Sequence, residues 1–125
     1  MALHNDTGKQ GEELAMKLLQ SKGYTILARN WRHGRTEVDI LARIGHTLVF
    51  VEVKTRKTEF FGMPESFVTA AKQEQLAKAA EAYCETCGED LDVRYDIVSV
   101  ILNPCEQKLE HFEDAFFPDD TGLFE

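Results

Sequence analysis

Long apolar runs are missing from this 125-residue sequence, and none approaches the roughly 20 residues a membrane-spanning helix needs. The opening MALHNDTGKQGEE lacks a basic stretch followed by an apolar one. It does not read as a secretory leader, and the expected compartment is the cytoplasm. Cysteine is scarce and odd in number. Cys84, Cys87 and Cys105 suit reduced thiols better than a disulfide framework. A second CxxC and a close histidine pair are absent, so zinc at Cys84-Glu-Thr-Cys87 would need Cys105 and His111 brought in by the fold. Repeats and low-complexity segments are also missing. With 43% hydrophobic and 29% charged residues, the chain reads as one globular domain spanning residues 1–125.

A net charge of −8 argues at first against a nucleic-acid partner. Its distribution is uneven. Residues 22–57 carry a balance of +5, residues 58–125 one of −12, and residues 1–21 one of −1. The basic block holds Lys22, Arg29, Arg32, Arg35, Arg43, Lys54, Arg56 and Lys57 against Glu37, Asp39 and Glu52.

Asp6 or Thr7 is placed to cap a first helix with Leu14, Ala15, Leu18 and Leu19 at helical spacing, and Gly23 to end it. YTILARNW, residues 24–31, is strand-like with Ile26 and Ala28 on one face. Strands over 36–43 and 47–54 follow, joined through Ile44-Gly45-His46. A loop over 55–66 contains Gly62 and Pro64. The second helix runs from about Thr69 to Tyr83, with Ala71, Leu76, Ala79, Ala80 and Tyr83 for packing. VRYDIVSVIL, residues 93–102, is a strong strand, and residues 108–112 return as an edge strand. From Glu113 the acidic, aromatic tail has no regular period and is open to two outcomes, mobility or docking. The order α-β-β-β-α-β-β predicts an α/β fold with a mixed sheet.

Acids interrupt the central hairpin. By alternation Glu37 and Asp39 share a face, as do Glu52 and Lys54. Placing Asp39 opposite Glu52 pairs Leu41 with Phe50 and Arg43 with Leu48. Residues 44–47 are left for the loop, and the two acidic Cβ atoms fall roughly 5 Å apart. Such carboxylates repel, and burial worsens it. A hard dication relieves this, binding oxygen ligands together with waters and a substrate phosphate. Lys54 can then hold a water or offset charge on a phosphate, an arrangement suited to metal-assisted hydrolysis of a phosphodiester. The plainer alternative makes Asp39 an exposed strand residue and Glu52–Lys54 an ordinary surface pair. Against it, Val51 and Val53 form the apolar face, while Phe50 lies with the charged residues.

Asp39-x12-Glu52-Val53-Lys54 resembles the signature of the PD-(D/E)xK nuclease superfamily. GKQGEELAMKLL, GYTILARNWR, TEVDILA, FVEVKTR, FG and VRYDIVSV, over roughly residues 8–102, resemble in order and spacing the YraN-like family of small bacterial proteins. That family is described as similar to archaeal Holliday junction resolvases. The resemblance implies a restriction-endonuclease-like (resolvase-like) fold, a mixed central sheet flanked by helices. It implies Mg2+ or Mn2+ held by Asp39, Glu52, the Val53 carbonyl and the helix residue Glu12, with Lys54 as the catalytic lysine. Whether Glu12 or Glu13 turns inward stays open, and Glu37 is a further candidate ligand. The family usually has glycine where this chain has Thr36, so the local turn can differ.

The resemblance also implies DNA, branched or structured, as partner. Arg29, Asn30, Arg32, Arg35, Arg56 and Lys72 are the candidate phosphate contacts, with Gln73 beside Lys72 near a helix start. Trp31 can stack on an unpaired base, but a core position is favoured. Two cuts across a junction make a symmetric homodimer the economical design. Phe116, Phe117, Leu123 and Phe124 are candidates for its surface or for covering their own domain. Two rivals remain: a DNA-binding or scaffold protein that keeps the nuclease fold with little activity, and a protein-interaction module using the acidic C-terminal part.

Overall fold

The computed structural model describes residues 2–58 and 68–117. Helix α1 (Ala2–Ser21) leads into strands β1 (Thr25–His33), β2 (Thr36–Ile44) and β3 (Thr47–Arg56). Helix α2 (Ala70–Cys87) and strands β4 (Asp92–Asn103) and β5 (Glu106–Phe112) complete the order. The five strands form one sheet in chain order, β1-β2-β3-β4-β5. Neighbours are antiparallel except β3 and β4, which run parallel from Thr47–Asp92 to Arg56–Ile101. This is the expected mixed α/β sheet with two helices, consistent with a resolvase-like fold. Among the described residues no helix is long and apolar enough to cross a membrane.

One helix covers each face. Ala15 and Leu19 of α1 pack with Tyr24, Ile40, Ala42, Val49, Val51, Val98 and Val100. Leu76 and Ala80 of α2 pack on the other face with Val38, Leu41, Leu48, Phe50, Ile97 and Phe116. Gly11 lets α1 lie close on β3, because a Cβ there would stand 2.0 Å from Thr55 Oγ1. Helix α1 ends in a Schellman motif: Gly23, at φ 95, donates to the Gln20 carbonyl and Tyr24 to that of Leu19. Thr69 caps α2, its hydroxyl accepting from the Lys72 N–H at 3.1 Å, and Gly88 closes it in the left-handed region.

Several expectations change. Helix α1 starts at Ala2, so neither Asp6 nor Thr7 caps it; Ala2 and Leu3 are themselves good helix formers. Ile26 and Ala28 do not share a face. A register shift between them sends Ile26 to the α1 core and Ala28 to the α2 core. The hairpin loop is two residues, not four, since Ile44 pairs with Thr47. Gly45 alone takes positive φ there, at 59, the pattern of a type II′ turn. Helix α2 runs one turn past Tyr83, and Ala71 is exposed rather than packed.

The tail docks as far as it is described. The Ala115 N–H donates to the Tyr95 carbonyl at 2.8 Å, and Phe116 is buried against the Tyr95 ring. Phe117 is 76% exposed; Leu123 and Phe124, like Gly62 and Pro64, lie outside the described residues. Cys84, Cys87 and Cys105 are free thiols, and burial pushes that of Cys84 up, away from reactivity. Trp31 is half-buried, edge-on to Phe50 and Tyr83, as favoured for a core residue.

Candidate functional site

The site forms where the sheet forks. Pairing of β2 with β3 follows the expected register from Ile44–Thr47 to Ile40–Val51 and stops short of Asp39. Pairing of β1 with β2 joins Arg29 to Ile40 and Trp31 to Val38, skipping Asn30 and Asp39 between them. Asn30 sits at φ 52, a left-handed conformation that asparagine tolerates and that interrupts a strand. Val38 and Ile40 consequently pack into opposite cores. Strict alternation therefore fails at Asp39, yet Glu37 stays near enough for its charge to raise the pKa of both Asp39 and Glu52.

Asp39 meets β3 through its carboxylate, not as a ladder partner of Glu52. Oδ2 accepts the Val53 N–H at 2.8 Å. Burial raises its pKa, opposed by that bond and by the charge of Lys72. Glu52 is more deeply placed, 6% exposed, and its Oε2 is buried without a hydrogen-bond partner among the described residues. Burial, then the charge of Asp39, pushes its pKa up to about 7. The two acids thus feel each other across the fork, as their closeness in sequence register suggested.

Glu12 lies near Asp39, whereas Glu13 turns to Arg29. Burial and then Asp39 raise the pKa of Glu12, while Arg29 and a side-chain hydrogen bond from Asn30 lower it. Glu13 pairs with Arg29 at 3.2 Å. Lys54 follows Glu52 on the Phe50 side of β3, half-buried, and its charge favours the ionised forms of Asp39 and Glu52. Among the described residues no three His, Cys, Asp or Glu side chains stand close enough to hold a metal ion. Glu12 is therefore not preassembled with Asp39 and Glu52 into a three-carboxylate cage.

The residues expected to face phosphate divide. Arg32 pairs with Glu37 at 3.6 Å and Arg29 with Glu13. Asn30 holds Glu12. Arg35 is exposed in the β1–β2 turn and Arg56 is exposed at the end of β3. Lys72 lies inside the acid site: Nζ donates to the Glu37 carbonyl at 2.8 Å and stands 3.9 Å from Glu52 Oε2. The Thr36 hydroxyl donates to Gln75 Oε1 at 3.3 Å, fastening β2 to α2.

A second buried polar cluster escaped sequence reasoning. Asp96, fully buried, accepts Arg94 Nε and Nη2 at 2.9 and 2.8 Å, His111 Nε2 at 2.7 Å and the Asp114 N–H at 3.0 Å. Lys22 Nζ donates to His111 Nδ1 at 2.6 Å, and Arg94 also donates to the Tyr24 hydroxyl. Every oxygen is satisfied, so the cluster pins β5 and the tail to the core. Its signal was present in Arg94-x-Asp96, two charges inside an apolar strand.

Comparison with known proteins agrees with the resemblance to a family of small bacterial proteins. A family model described as "Uncharacterised protein family UPF0102" matches residues 11–100. A UPF0102 protein of Christiangramia forsetii is 49% identical over 117 residues, 94% of this chain and 98% of its own. One from Flavobacterium psychrophilum is likewise 49% identical over 117 residues, with the same coverage. That of Phocaeicola vulgatus is 43% identical over 118 residues, covering 94% of this chain and 98% of its own. With a match across most of its length and relatives this similar, the chain belongs to the UPF0102 family.

Proposed function

We propose that this protein is a divalent-metal-dependent endonuclease that hydrolyses phosphodiester bonds in branched or structured DNA. The observation that carries the reading is the buried Oε2 of Glu52, without a hydrogen-bond partner among the described residues, beside a second, half-buried carboxylate, Asp39. Native interiors seldom leave such an atom unsatisfied, and one that persists calls for a missing ligand. Two carboxylates and the adjacent Val53 carbonyl form an all-oxygen set that fits Mg2+ or Mn2+, ions that commonly take one or two carboxylates plus water and phosphate.

When bound, such an ion supplies Lewis-acid activation of the phosphodiester and of the attacking water. The chain's own contributions are separate. Asp39 is oriented by the Val53 N–H. Glu12, on α1 and close enough to Asp39 to feel its charge, can hold a water with its carboxylate. Lys54 Nζ offers a positive charge to a phosphate oxygen in the transition state. Arg35 and Arg56, exposed on either side, contact the DNA backbone without reading sequence. Two chains acting as a symmetric pair would make the two cuts a junction requires.

The test is cleavage of four-way junction, flap and single-stranded DNA with Mg2+ or Mn2+, by the wild type and by Asp39→Ala and Glu52→Ala. Both substitutions are expected to abolish cleavage; cleavage that survives either overturns the site. A second reading, a DNA-binding scaffold with little activity, is favoured by the lack of a preassembled three-carboxylate cage among the described residues. Salt-sensitive junction binding without cleavage in any metal would select it.

A further inference from the structure

Lys72 stands where a cation is wanted. Its Nζ is 3.9 Å from Oε2 of Glu52, a buried oxygen with no hydrogen-bond partner among the described residues. That is a charge contact, too long for a hydrogen bond. The ammonium offsets part of the charge on that oxygen without bonding to it.

Three fastenings put the ammonium there. The Thr69 hydroxyl fixes the first turn of α2. Gln73 Nε2 donates to the Val68 carbonyl at 3.0 Å, and Thr36 clasps Gln75. The ammonium itself is anchored on the Glu37 carbonyl. Its charge favours ionisation of both Asp39 and Glu52, as a bound cation would.

We infer that Lys72 holds the place of the dication on Glu52 in the metal-free protein, and that a divalent ion enters the site by exchanging with it. The inference rests on the reading of Asp39 and Glu52 as a metal site. A dication and an ammonium on one carboxylate oxygen repel strongly in a half-buried setting. The lysine stem is flexible, so the exchange needs a side-chain rotation and leaves α2 in place. Lys54, farther along β3, keeps its position.

The experiment is calorimetric titration of Mn2+ into the wild type, Lys72→Gln and Lys72→Arg, without DNA. Lys72→Gln is expected to bind Mn2+ at least about tenfold more tightly than wild type, as loss of a neighbouring like charge predicts. Lys72→Arg, which keeps the charge, is expected to bind no more tightly than wild type. Binding by Lys72→Gln alone also supports the exchange, with the lysine as a full block. Wild-type binding that Lys72→Gln does not improve, or that Lys72→Arg improves equally, overturns the exchange and leaves the metal site standing. No binding by any of the three proteins removes the metal site, and the exchange with it. Reductive methylation of native Lys72, followed by mass spectrometry, needs no variant. It is expected to be faster with Mg2+ than without, and equal rates would overturn the exchange.

Discussion

The carboxylate of Asp39 and the backbone N–H of Val53 are joined at 2.8 Å across the point where β2 and β3 part. A side chain has taken over the place of a ladder acceptor. Without it the Val53 N–H would be left half-buried at the mouth of a fork, and Asp39 would be free to turn away from Glu52.

Asp39→Ala and Asp39→Asn therefore separate structure from chemistry. Alanine strands the Val53 N–H and is expected to cost about 1–3 kcal/mol of stability. Asparagine keeps an acceptor and should unfold near the wild-type midpoint while losing DNA cleavage. Urea denaturation alongside the junction assay checks both; equal stability of the two variants would show that the bond is not structural.

Stability should depend on Glu52 in a defined pH window. Its folded pKa, about 7, lies above the ordinary 4.5, so between these values the folded chain binds more protons than the unfolded one. Stability then falls as pH rises through that range. Relative to Glu52→Gln, the metal-free wild type is expected to lose at most about 3 kcal/mol from below pH 4.5 to above pH 7. Denaturation in chelator at several pH values measures this; a gap that widens in the other direction would contradict the burial of an unsatisfied carboxylate.

Two glycines of α1 should respond oppositely to alanine. Nothing lies within 4 Å of a Cβ at Gly8, whereas one at Gly11 meets Thr55 Oγ1 at 2.0 Å. Gly8→Ala is expected to stabilise by up to about 1 kcal/mol through helix propensity. Gly11→Ala should destabilise by about 1–3 kcal/mol through overpacking. Thermal melts of the two variants suffice, and stabilisation by Gly11→Ala would mean that α1 does not lie so close on β3.

Asp96→Ala removes the acceptor at the centre of the second cluster and leaves Arg94 and His111 facing each other. A loss of about 3–5 kcal/mol is expected at neutral pH. Burial alone would raise the pKa of Asp96, but the bonds from His111, Arg94 and the Asp114 N–H outweigh it and hold it low. Its contribution is present above the ordinary value of 3.8 and disappears in stronger acid. Chemical denaturation of both proteins at pH 7 and in acid measures the effect, which should shrink as Asp96 protonates.

The hairpin register was readable because Leu41, Phe50 and Leu48 had to meet if the acids were to face one another, and the observed pairs agree. The sheet's α1 and α2 faces were readable from helical spacing at Leu19 and Leu76. What hid was local backbone irregularity without punctuation. No glycine or proline marks the register shift near Leu27 or the left-handed turn at Asn30, yet these decide where Asp39 and Glu12 point. Lys72 hid for another reason. From sequence it is one cation on the first turn of a helix, and its inward direction is set by how α2 docks on Thr36 and Glu37, contacts more than 30 residues apart in the chain.

The sheet is laid down in chain order with a single crossover, between β3 and β4. A nascent polypeptide leaving the ribosome can zip β1, β2 and β3 by neighbour pairing alone, the quick local steps of folding. Glu52 stays hydrated until α2 delivers its lysine and β4 seals the far side of β3. Translation itself thus postpones closure of the cluster around Glu52, and a half-made chain displays an open acidic notch.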